Sequence, residues 1–351
     1  MTGMTDEKEK KNYLAYFKGK RGAEREPSNY QRRDDASHIY HNEPDYYEWW
    51  YLDASFDNNY HIVMTYHYRN FFLPGMIPSL QFFIYKPDGT RVDRYALCKA
   101  EEISADPNYC DVRMGKSFLR DNGDHYRAVM DINGEGFDLV FKNTVPPWKP
   151  GTGYNYKNEE TGEVAGWVVP IPAAEVQGVL RLKGEVISVK GYGYHDHNWG
   201  NYHTSKTFQC WYWGRVHHPR YTIDVSWVIP RNEKMPVVSP LLLARDGNIL
   251  LSTDMIDASF EDFVIDEKLG QRYPRKLSFS TNVLGVSMKL DITTHRVVEQ
   301  MTLPKTKEWD QYYLRFLADY TLCLSADGLE DTVKGEMLHE YVIMYPDEIK
   351  S

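Results

Sequence analysis

The sequence predicts an all-β protein of two domains with few, short helices. Its 351 residues exceed the length of one ordinary domain. Short runs of β-branched and aromatic residues recur along the chain, and turn-forming Asn-Gly and Asp-Gly pairs separate them. Aromatic residues make up 14% of the chain, and Tyr and Trp favour both strands and apolar ligand pockets. Together these observations predict sandwiches or barrels that bind an apolar small molecule.

The first domain is predicted to cover residues 36–205. Its expected strands are 49–53, 61–68, 80–85, 126–132, 137–141, 166–171, 178–182 and 186–194. Residues 143–165 interrupt this pattern because they are rich in Pro, Gly, Asn and Lys. They predict a long loop, of the kind that forms a lid or rim over a site.

The second domain is predicted to cover residues 206–351, with the junction near 203–210. Its expected strands are 208–216, 221–229, 240–244, 249–252, 276–280, 286–293, 312–318 and 335–345. Two segments, 260–269 and 305–313, are predicted as short helices.

Charge and hydropathy restrict the class of partner. The formal charge of −9 argues against a general binder of nucleic acid or anionic membranes. The basic run 8–25 lacks apolar periodicity, so residues 1–35 are predicted to form a flexible basic N-terminal arm. The first thirty residues contain no continuous apolar stretch, and no run of about 18 apolar residues occurs anywhere. We therefore expect no secretory signal, no transmembrane helix and a cytoplasmic location.

Cysteine and glycine spacings argue against common cofactor sites. The cysteines are Cys98, Cys110, Cys210 and Cys323. None forms a Cys-x-x-Cys pair, which argues against a zinc cluster or a thioredoxin-type redox site. Gly191 and Gly193 lack the third glycine and the following helix of a nucleotide-binding loop. The sequence therefore predicts no cofactor.

Residues 46–53 place a carboxylate among aromatic side chains. If this segment is a strand, alternate residues point to opposite faces. One face then holds Glu48, Trp50 and Leu52, and the other holds Trp49, Tyr51 and Asp53. A carboxylate buried there must be paired, hydrogen-bonded or protonated. Glu48 is interpreted either as a structural tie for the strand end or as a polar group in an aromatic pocket.

Residues 191–200 are the strongest candidate for chemistry. Strand alternation places Tyr192, Tyr194, Asp196 and Asn198 on one face, and Gly193, His195, His197 and Trp199 on the other. The first face carries a carboxylic acid between a phenol and an amide, an arrangement that can donate a proton. The second face carries two histidines at positions i and i+2.

The two histidines have a metal-binding and a structural interpretation. A metal site would need further ligands, available from His203, His217, His218 or Glu48. No spacing selects among these residues, so no metal is predicted. In the structural alternative, His195 and His197 are hydrogen-bonded groups that orient neighbours or close the domain junction, and Asp196 is a cap or an ion-pair partner.

The segments 48–51 and 193–200 resemble the carotenoid 1,2-hydratase (hydroxyneurosporene synthase) family. That group includes AttH-like proteins, kievitone hydratase and lipocalin-like fungal Diels–Alderases, and the resemblance extends from about residue 36 to 345. It implies two lipocalin-like β-domains, a ligand cavity in or between them, and a terpenoid, polyketide or other lipid-like substrate. It also implies that Tyr194 and Asp196 form the acid region. The hydratases carry an upstream histidine and tryptophan, whereas Gly166-Trp167 supplies only the tryptophan.

Residues and resemblance together predict acid-catalysed hydration of a carbon–carbon double bond, or a related isomerisation or cyclisation. Burial of a carboxyl group among aromatic rings keeps it protonated, and the rings stabilise a carbocation. Asp196 is the predicted acid with Tyr194 as its orienting partner, and Glu48 is the second choice. His195 or His197 would accept the proton of the added water. The predicted substrate-binding residues are Tyr51, Trp50, Trp167, Trp199, Trp211 and Trp213.

Two other functions fit the same features. A lipocalin-type carrier would bind an apolar ligand without changing it, and a pericyclase would act by shape and hydrogen bonding. The reaction products distinguish the three classes.

Overall fold

A computed structural model describes residues 22–38, 43–233, 235–303 and 311–344. The chain divides into two compact units. The first unit comprises residues 28–149 and 163–203, and the second comprises the described residues of 1–27, 150–162 and 204–351. The sequence-based domain boundaries at residues 35 and 205 stay a prediction, because compact units of a structure do not show whether each part folds separately. Residues 1–21 of the predicted arm lie outside the described residues.

The first unit is a curled antiparallel sheet. Its strands are β2 (Tyr47–Phe56), β3 (His61–Arg69), β4 (Ser79–Tyr85), β5 (Arg91–Leu97), β6 (Ile103–Ala105), β7 (Asp111–Met114), β8 (Ser117–Asp121), β9 (Tyr126–Ile132), β10 (Glu135–Asn143), β12 (Val164–Leu182) and β13 (Glu185–Gly200). Their order in the sheet is β5-β4-β3-β2-β13-β12-β10-β9-β8-β7-β6. The 3-10 helices of this unit are Arg32–Asp35, Pro74–Met76 and Ala100–Glu102.

The second unit contains a 10-stranded sheet. Its strands are β1 (Ala23–Glu24), β14 (Phe208–His217), β15 (Tyr221–Pro230), β16 (Leu241–Arg245), β17 (Asn248–Thr253), β18 (Asp257–Ile265), β19 (Arg272–Val283), β20 (Val286–Leu303), β21 (Gln311–Ala326) and β22 (Leu329–Ile343). Their order is β1-β17-β16-β15-β14-β22-β21-β20-β19-β18. The unit also holds β11 (Tyr154–Lys157) and the 3-10 helix Thr204–Lys206.

Tight turns fix the register of the long hairpins. Asn133 and Gly134 join β9 to β10 with φ values of 57° and 85°. Lys183 and Gly184 join β12 to β13 with φ values of 48° and 83°. Positive φ at both turn positions is typical of the type I′ hairpin, whose twist matches that of the flanking strands. The Asn-Gly pair at residues 133–134 therefore forms the hairpin turn that the sequence predicts.

Each unit encloses its own apolar core. Trp50, Leu52 and Phe82 belong to the first core, and Leu243 and Leu290 belong to the second. Within the described residues no helix is long and apolar enough to cross a membrane. The predicted all-β, lipocalin-like class is confirmed, since the only helices described are short 3-10 turns.

The predicted helix at 260–269 is wrong, and this segment is largely strand β18. Ala258 and Phe260 are half-buried while Asp257 and Ser259 are exposed, which is the period of two expected for a strand at a sheet edge. The other predicted helix falls partly on residues 304–310, outside the described residues, and its last residues, 311–313, begin β21. Within 143–165, the predicted loop, residues 154–157 form β11.

Candidate functional site

The side chains of β13 alternate between two environments. His195 and His197 lie opposite Leu52 and Trp50 of β2, and both of these partners belong to the core of the first unit. We call this side of the sheet the inner face and the other side the outer face. Asp196, between the two histidines, points to the outer face. The alternation predicted for β13 is confirmed.

On the outer face, Asp196 is hydrogen-bonded through both carboxyl oxygens. The Tyr194 hydroxyl donates to Oδ2 at 3.0 Å, and the Asn198 side-chain amide donates to Oδ1 at 2.8 Å. Asp196 is 7% exposed and Tyr194 is fully buried. Both carboxyl oxygens therefore accept a hydrogen bond, Oδ2 from the phenol and Oδ1 from the amide.

Strand β2 carries a second tyrosine–aspartate pair on the same face. The Tyr51 hydroxyl donates to Asp53 Oδ2 at 3.1 Å, and Asp53 is 3% exposed. Because β2 and β13 run antiparallel, Tyr51 lies opposite Asp196 and Asp53 lies opposite Tyr194. The rings of Tyr51 and Tyr194 meet edge to face, with centroids 6.3 Å apart. We call these four residues the tyrosine–aspartate square.

Strand β12 is irregular beside the square. It makes one bulge opposite Asp196 and a second opposite Tyr194, because the register shifts twice between Val168 and residue 174. Pro170 lies in the first bulge and Pro172 in the second. Proline has no N–H to donate to a strand ladder and is therefore found at bulges. Bulges bend a strand and redirect side chains, and they are common next to active sites.

Aromatic rings continue the outer face beyond Asn198. Trp49 of β2 pairs with Asn198 on one side and with His67 of β3 on the other. Ring contacts with centroids 4.8–6.2 Å apart join Trp49 and its neighbours into one group. This aromatic cluster comprises Tyr47, Trp49, His67, Phe71, Phe72 and His203. An apolar wall therefore adjoins the two carboxyl groups on one side of the sheet.

The inner face holds a buried series of ionisable groups, each within 3.3 Å of the next. His197 Nδ1 lies 3.3 Å from Asp35 Oδ1, and His197 Nε2 lies 3.0 Å from Glu48 Oε1. His195 Nε2 lies 3.2 Å from Asp35 Oδ2, and its Nδ1 lies 2.8 Å from the Tyr51 carbonyl oxygen. None of the four ionisable side chains is exposed. This series therefore attaches the segment around Asp35 to β2 and β13.

Glu48 lies at one end of this series, and both of its carboxylate oxygens accept hydrogen bonds. Its Oε2 accepts the Ser37 hydroxyl at 2.8 Å and also the Tyr46 hydroxyl, and its Oε1 accepts the His38 backbone N–H at 2.8 Å. The indole of Trp50 stacks on His197 at 4.3 Å. The structure thus gives Glu48 the tying contacts expected of the structural interpretation.

Mutual pairing favours the charged forms of Asp35, Glu48 and His197. Burial opposes the imidazolium, yet hydrogen bonds and charges of Asp35 and Glu48 raise the pKa of His197 to about 9. Burial likewise opposes the carboxylates, but His195 and His197 lower the pKa of Asp35, and His197 lowers that of Glu48. Burial is the main cause that lowers the pKa of His38 to about 4. Such a paired cluster holds its protons rather than delivering them.

Two sets of inner-face groups approach metal-ligand geometry. They are Asp35, Cys110 and His195, and His38, Glu48 and His197, with ligand atoms within 4.8 Å of one another. In the second set, protein hydrogen bonds already occupy both oxygens of Glu48. In the first set, burial raises the pKa of the Cys110 thiol well above its ordinary value. His38 Nε2 and His197 Nδ1 have no hydrogen-bond partner among the described residues.

Comparison with known proteins identifies the family. A family model described as Diels-Alderase-like matches residues 126–303, just over half of the chain. The chain belongs to the Diels-Alderase-like family. A curated relative of this Diels-Alderase-like chain is the hydroxyneurosporene dehydrogenase of Chlorobaculum tepidum, 26% identical over 208 residues. The match covers 49% of this chain and 54% of that relative, so the chain spans about half its length.

Solved structures share the fold of this Diels-Alderase-like chain at low identity. CghA with Sch210972 matches with a TM-score of 0.64 and 13% identity, over 93% of this chain and 98% of the other. An AttH protein of Nitrosomonas europaea matches with 0.63 and 15%, over 91% and 98%. Kievitone hydratase of Nectria haematococca matches with 0.59 and 15%, over the same shares. The predicted family resemblance is confirmed.

The predicted site residues of the Diels-Alderase-like chain fall into three places. Tyr51, Tyr194, Asp196 and Trp167 lie on the outer face, where Trp167 meets Trp148 edge to face at 5.5 Å. Glu48, Trp50, His195, His197 and Trp199 lie on the inner face, where Trp199 stacks on His38 at 3.6 Å. Trp211 and Trp213 belong to β14 of the second unit, where Trp211 donates to Glu340 at 3.4 Å.

His195 and His197 face the side of the sheet opposite to Asp196. Acceptance of a proton from the added water by either histidine stays a prediction. The sequence reasoning missed several residues, namely Asp35, Asp53, Trp49, His67, Phe71 and Phe72. Alternation along β2 already placed Trp49 and Asp53 with Tyr51, and this signal could have included them.

Proposed function

We propose that the chain is an enzyme that adds water to, or cyclises, an apolar substrate by protonating a carbon–carbon double bond. The observation that carries the proposal is the tyrosine–aspartate square beside the aromatic cluster. The buried carboxyl groups of Asp196 and Asp53 share one face, and each accepts a hydrogen bond from a tyrosine hydroxyl. The Diels-Alderase-like family and the name of one structural neighbour, kievitone hydratase, support a reaction at a carbon–carbon double bond.

Asp196 is the proposed acid. Its Oδ2 proton is transferred to one alkene carbon, and the electron pair of the double bond forms the new C–H bond. The positive charge develops on the other carbon, where the π faces of Trp49 and Trp167 stabilise it. Tyr194 keeps Oδ2 in position, and Asn198 stabilises the carboxylate that the transfer leaves.

Asp53 is the proposed base. It lies diagonally from Asp196 across β2 and β13, and diagonal neighbours in such a ladder are about 7–8 Å apart, which leaves room for a water molecule. The water oxygen bonds to the cationic carbon and its proton passes to Asp53. Return of that proton to Asp196 restores the enzyme. In cyclisation, an internal double bond attacks the cation instead of water. The cyclised cation then loses a proton from an adjacent carbon to the Asp196 carboxylate, which restores the acid and gives an isomer of the substrate.

A pericyclic reaction is the second candidate, favoured by the Diels-Alderase-like family match. Here Tyr194 and Asn198 would act as hydrogen-bond donors, and Asp196 would not transfer a proton.

Mass spectrometry of products from a panel of apolar alkenes and polyenes tests the proposal. Gain of one water supports hydration, an isomeric product supports cyclisation, and an unchanged tightly held ligand supports a carrier. Asp196→Asn should abolish turnover, while its melting temperature and its affinity for the same compound stay close to wild type. Near-normal turnover by that variant rules out the acid role and leaves the pericyclic candidate.

A further inference from the structure

His67 on β3 is a buried histidine that makes no hydrogen bond within the described part of the chain. It is 4% exposed, and its ring contacts are with Trp49 at 6.2 Å and Phe72 at 6.2 Å. Its Nδ1 has no hydrogen-bond partner among the described residues. His197 and His339 also have an Nδ1 without a partner among the described residues, but each is hydrogen-bonded through Nε2, to Glu48 and, at 2.8 Å, to Thr294.

Such a group is unfavourable in the protein without ligand. A buried polar atom that makes no hydrogen bond costs about 1–3 kcal/mol, so native proteins rarely keep one without a role. Burial lowers the pKa of His67 to about 3, which leaves a neutral imidazole at ordinary pH. A neutral imidazole has one donor and one acceptor nitrogen available for a ligand.

The position of His67 ties it to the outer face. Asn198, Trp49 and His67 are successive cross-strand partners on β13, β2 and β3. Neighbouring strands lie about 4.8 Å apart, so His67 is about 10 Å from Asn198 with the Trp49 ring between them. A ligand lying over Trp49 can therefore reach Asp196 at one end and His67 at the other.

We propose that His67 binds the oxygen of a hydroxyl or carbonyl group on an otherwise apolar substrate. The geometry points to a lipid-like molecule whose oxygen function lies on His67 while its hydrocarbon part covers the aromatic cluster. Only the placement of the reacting double bond at Asp196 rests on the proposed function. Binding of the oxygen group by His67 is independent of it.

Farnesol and its deoxy analogue, 2,6,10-trimethyldodeca-2,6,10-triene, are suitable probes because they differ only in one hydroxyl group. Dissociation constants from tryptophan fluorescence or calorimetry should favour farnesol about 5- to 10-fold in the wild type, as expected for one neutral hydrogen bond. His67→Phe should remove this preference and raise the melting temperature of the unliganded protein. His67→Gln, which retains hydrogen-bonding atoms, should keep part of the preference.

Two control variants separate this inference from its alternatives. His339→Phe removes an equally buried but bonded histidine, so it should lower the melting temperature and keep the farnesol preference. Asp196→Asn should also keep the preference, whatever its effect on turnover. The proposal is overturned if the wild type shows no farnesol preference, if His67→Phe retains it, or if His67→Phe is less stable than the wild type.

Discussion

Asp196 and Tyr51 are direct cross-strand partners on the outer face of the first unit. The same antiparallel register sets Asp53 against Tyr194, so each carboxyl group has one phenol on its own strand and one on the neighbouring strand. This arrangement needs only two Tyr-x-Asp sequences on adjacent strands. It places the proposed acid and the proposed base on strands, where small displacements are resisted.

Asp53→Asn should separate the two halves of the proposed reaction. Without the base, water addition slows, and we expect a loss of about 10²–10⁴-fold in kcat, as is usual for general acid–base groups. Isomeric products should persist, since protonation by Asp196 remains. Steady-state kinetics with product analysis checks this. Asp93→Asn, an exposed aspartate paired with Arg91, is the matched control and should act as wild type; equal behaviour of the two variants would argue against Asp53 as base.

His197→Gln should destabilise the fold. Removing the imidazolium leaves Asp35 and Glu48 buried with one partner fewer, and breaking a buried ion pair costs about 3–5 kcal/mol. Urea denaturation measures the change. His61→Gln serves as control, because His61 is an exposed histidine whose ring bonds the Ser55 hydroxyl, and it should change stability by less than about 0.5 kcal/mol. A small effect at His197 would mean that the inner-face series does not hold the fold.

Stability should peak near pH 6.5. The folded pKa of His197, about 9, lies above its unfolded value of 6.5, so its contribution is complete below pH 6.5 and is lost as the pH rises towards 9. Burial lowers the folded pKa of other histidines, which therefore destabilise the fold as the pH falls below 6.5. These are His38, His67, His217 and His339.

His197 accounts for the loss of stability on the alkaline side of this profile. The free energy of unfolding should fall by roughly 3 kcal/mol between pH 6.5 and 9, since one pKa unit is about 1.4 kcal/mol. Denaturation curves at pH 6.5 and 9 give the wild-type difference. The same pair of curves for His197→Gln should show most of it gone. An unchanged slope in the variant would assign the pH dependence to other groups.

Gly166→Ala should displace the Trp199 indole. A Cβ at this position would overlap the six-membered ring of the indole, so either the ring or the strand must move. Overpacking of this kind costs about 1–3 kcal/mol. Melting temperature and tryptophan fluorescence report the change, and Val186→Ala on the exposed part of β13 should alter neither. A wild-type fluorescence spectrum for Gly166→Ala would contradict the packing described for Trp199.

Local sequence was sufficient to predict the long strands and many of the turns. Alternation and Asn-Gly signals found the long hairpins because these depend on neighbouring residues. Local sequence missed the short or peripheral strands β1, β5, β6, β7, β8 and β11 and misassigned β18. Among these, β5 and β18 are edge strands whose exposed polar residues resemble loop or helix sequence. Edge strands need such residues to avoid pairing with other chains, so they lack the signal that identifies central strands.

The candidate site was predictable within strands but not between them. Alternation gave Tyr194 and Asp196 a common face, as observed. It could not show that Asp35 would pair with His195 and His197, because that contact depends on how a distant segment packs. The register that sets Asp53 opposite Tyr194 is likewise a property of the assembled sheet.

Side-chain alternation divides β13 into two sets of residues with different surroundings. Residues at odd positions from 193 to 199 maintain the fold, and those at even positions meet the outer face. Substitutions at the even positions therefore leave the ion pairs of the inner face in place. Protein engineers could use the same separation by randomising positions 194, 196 and 198 alone.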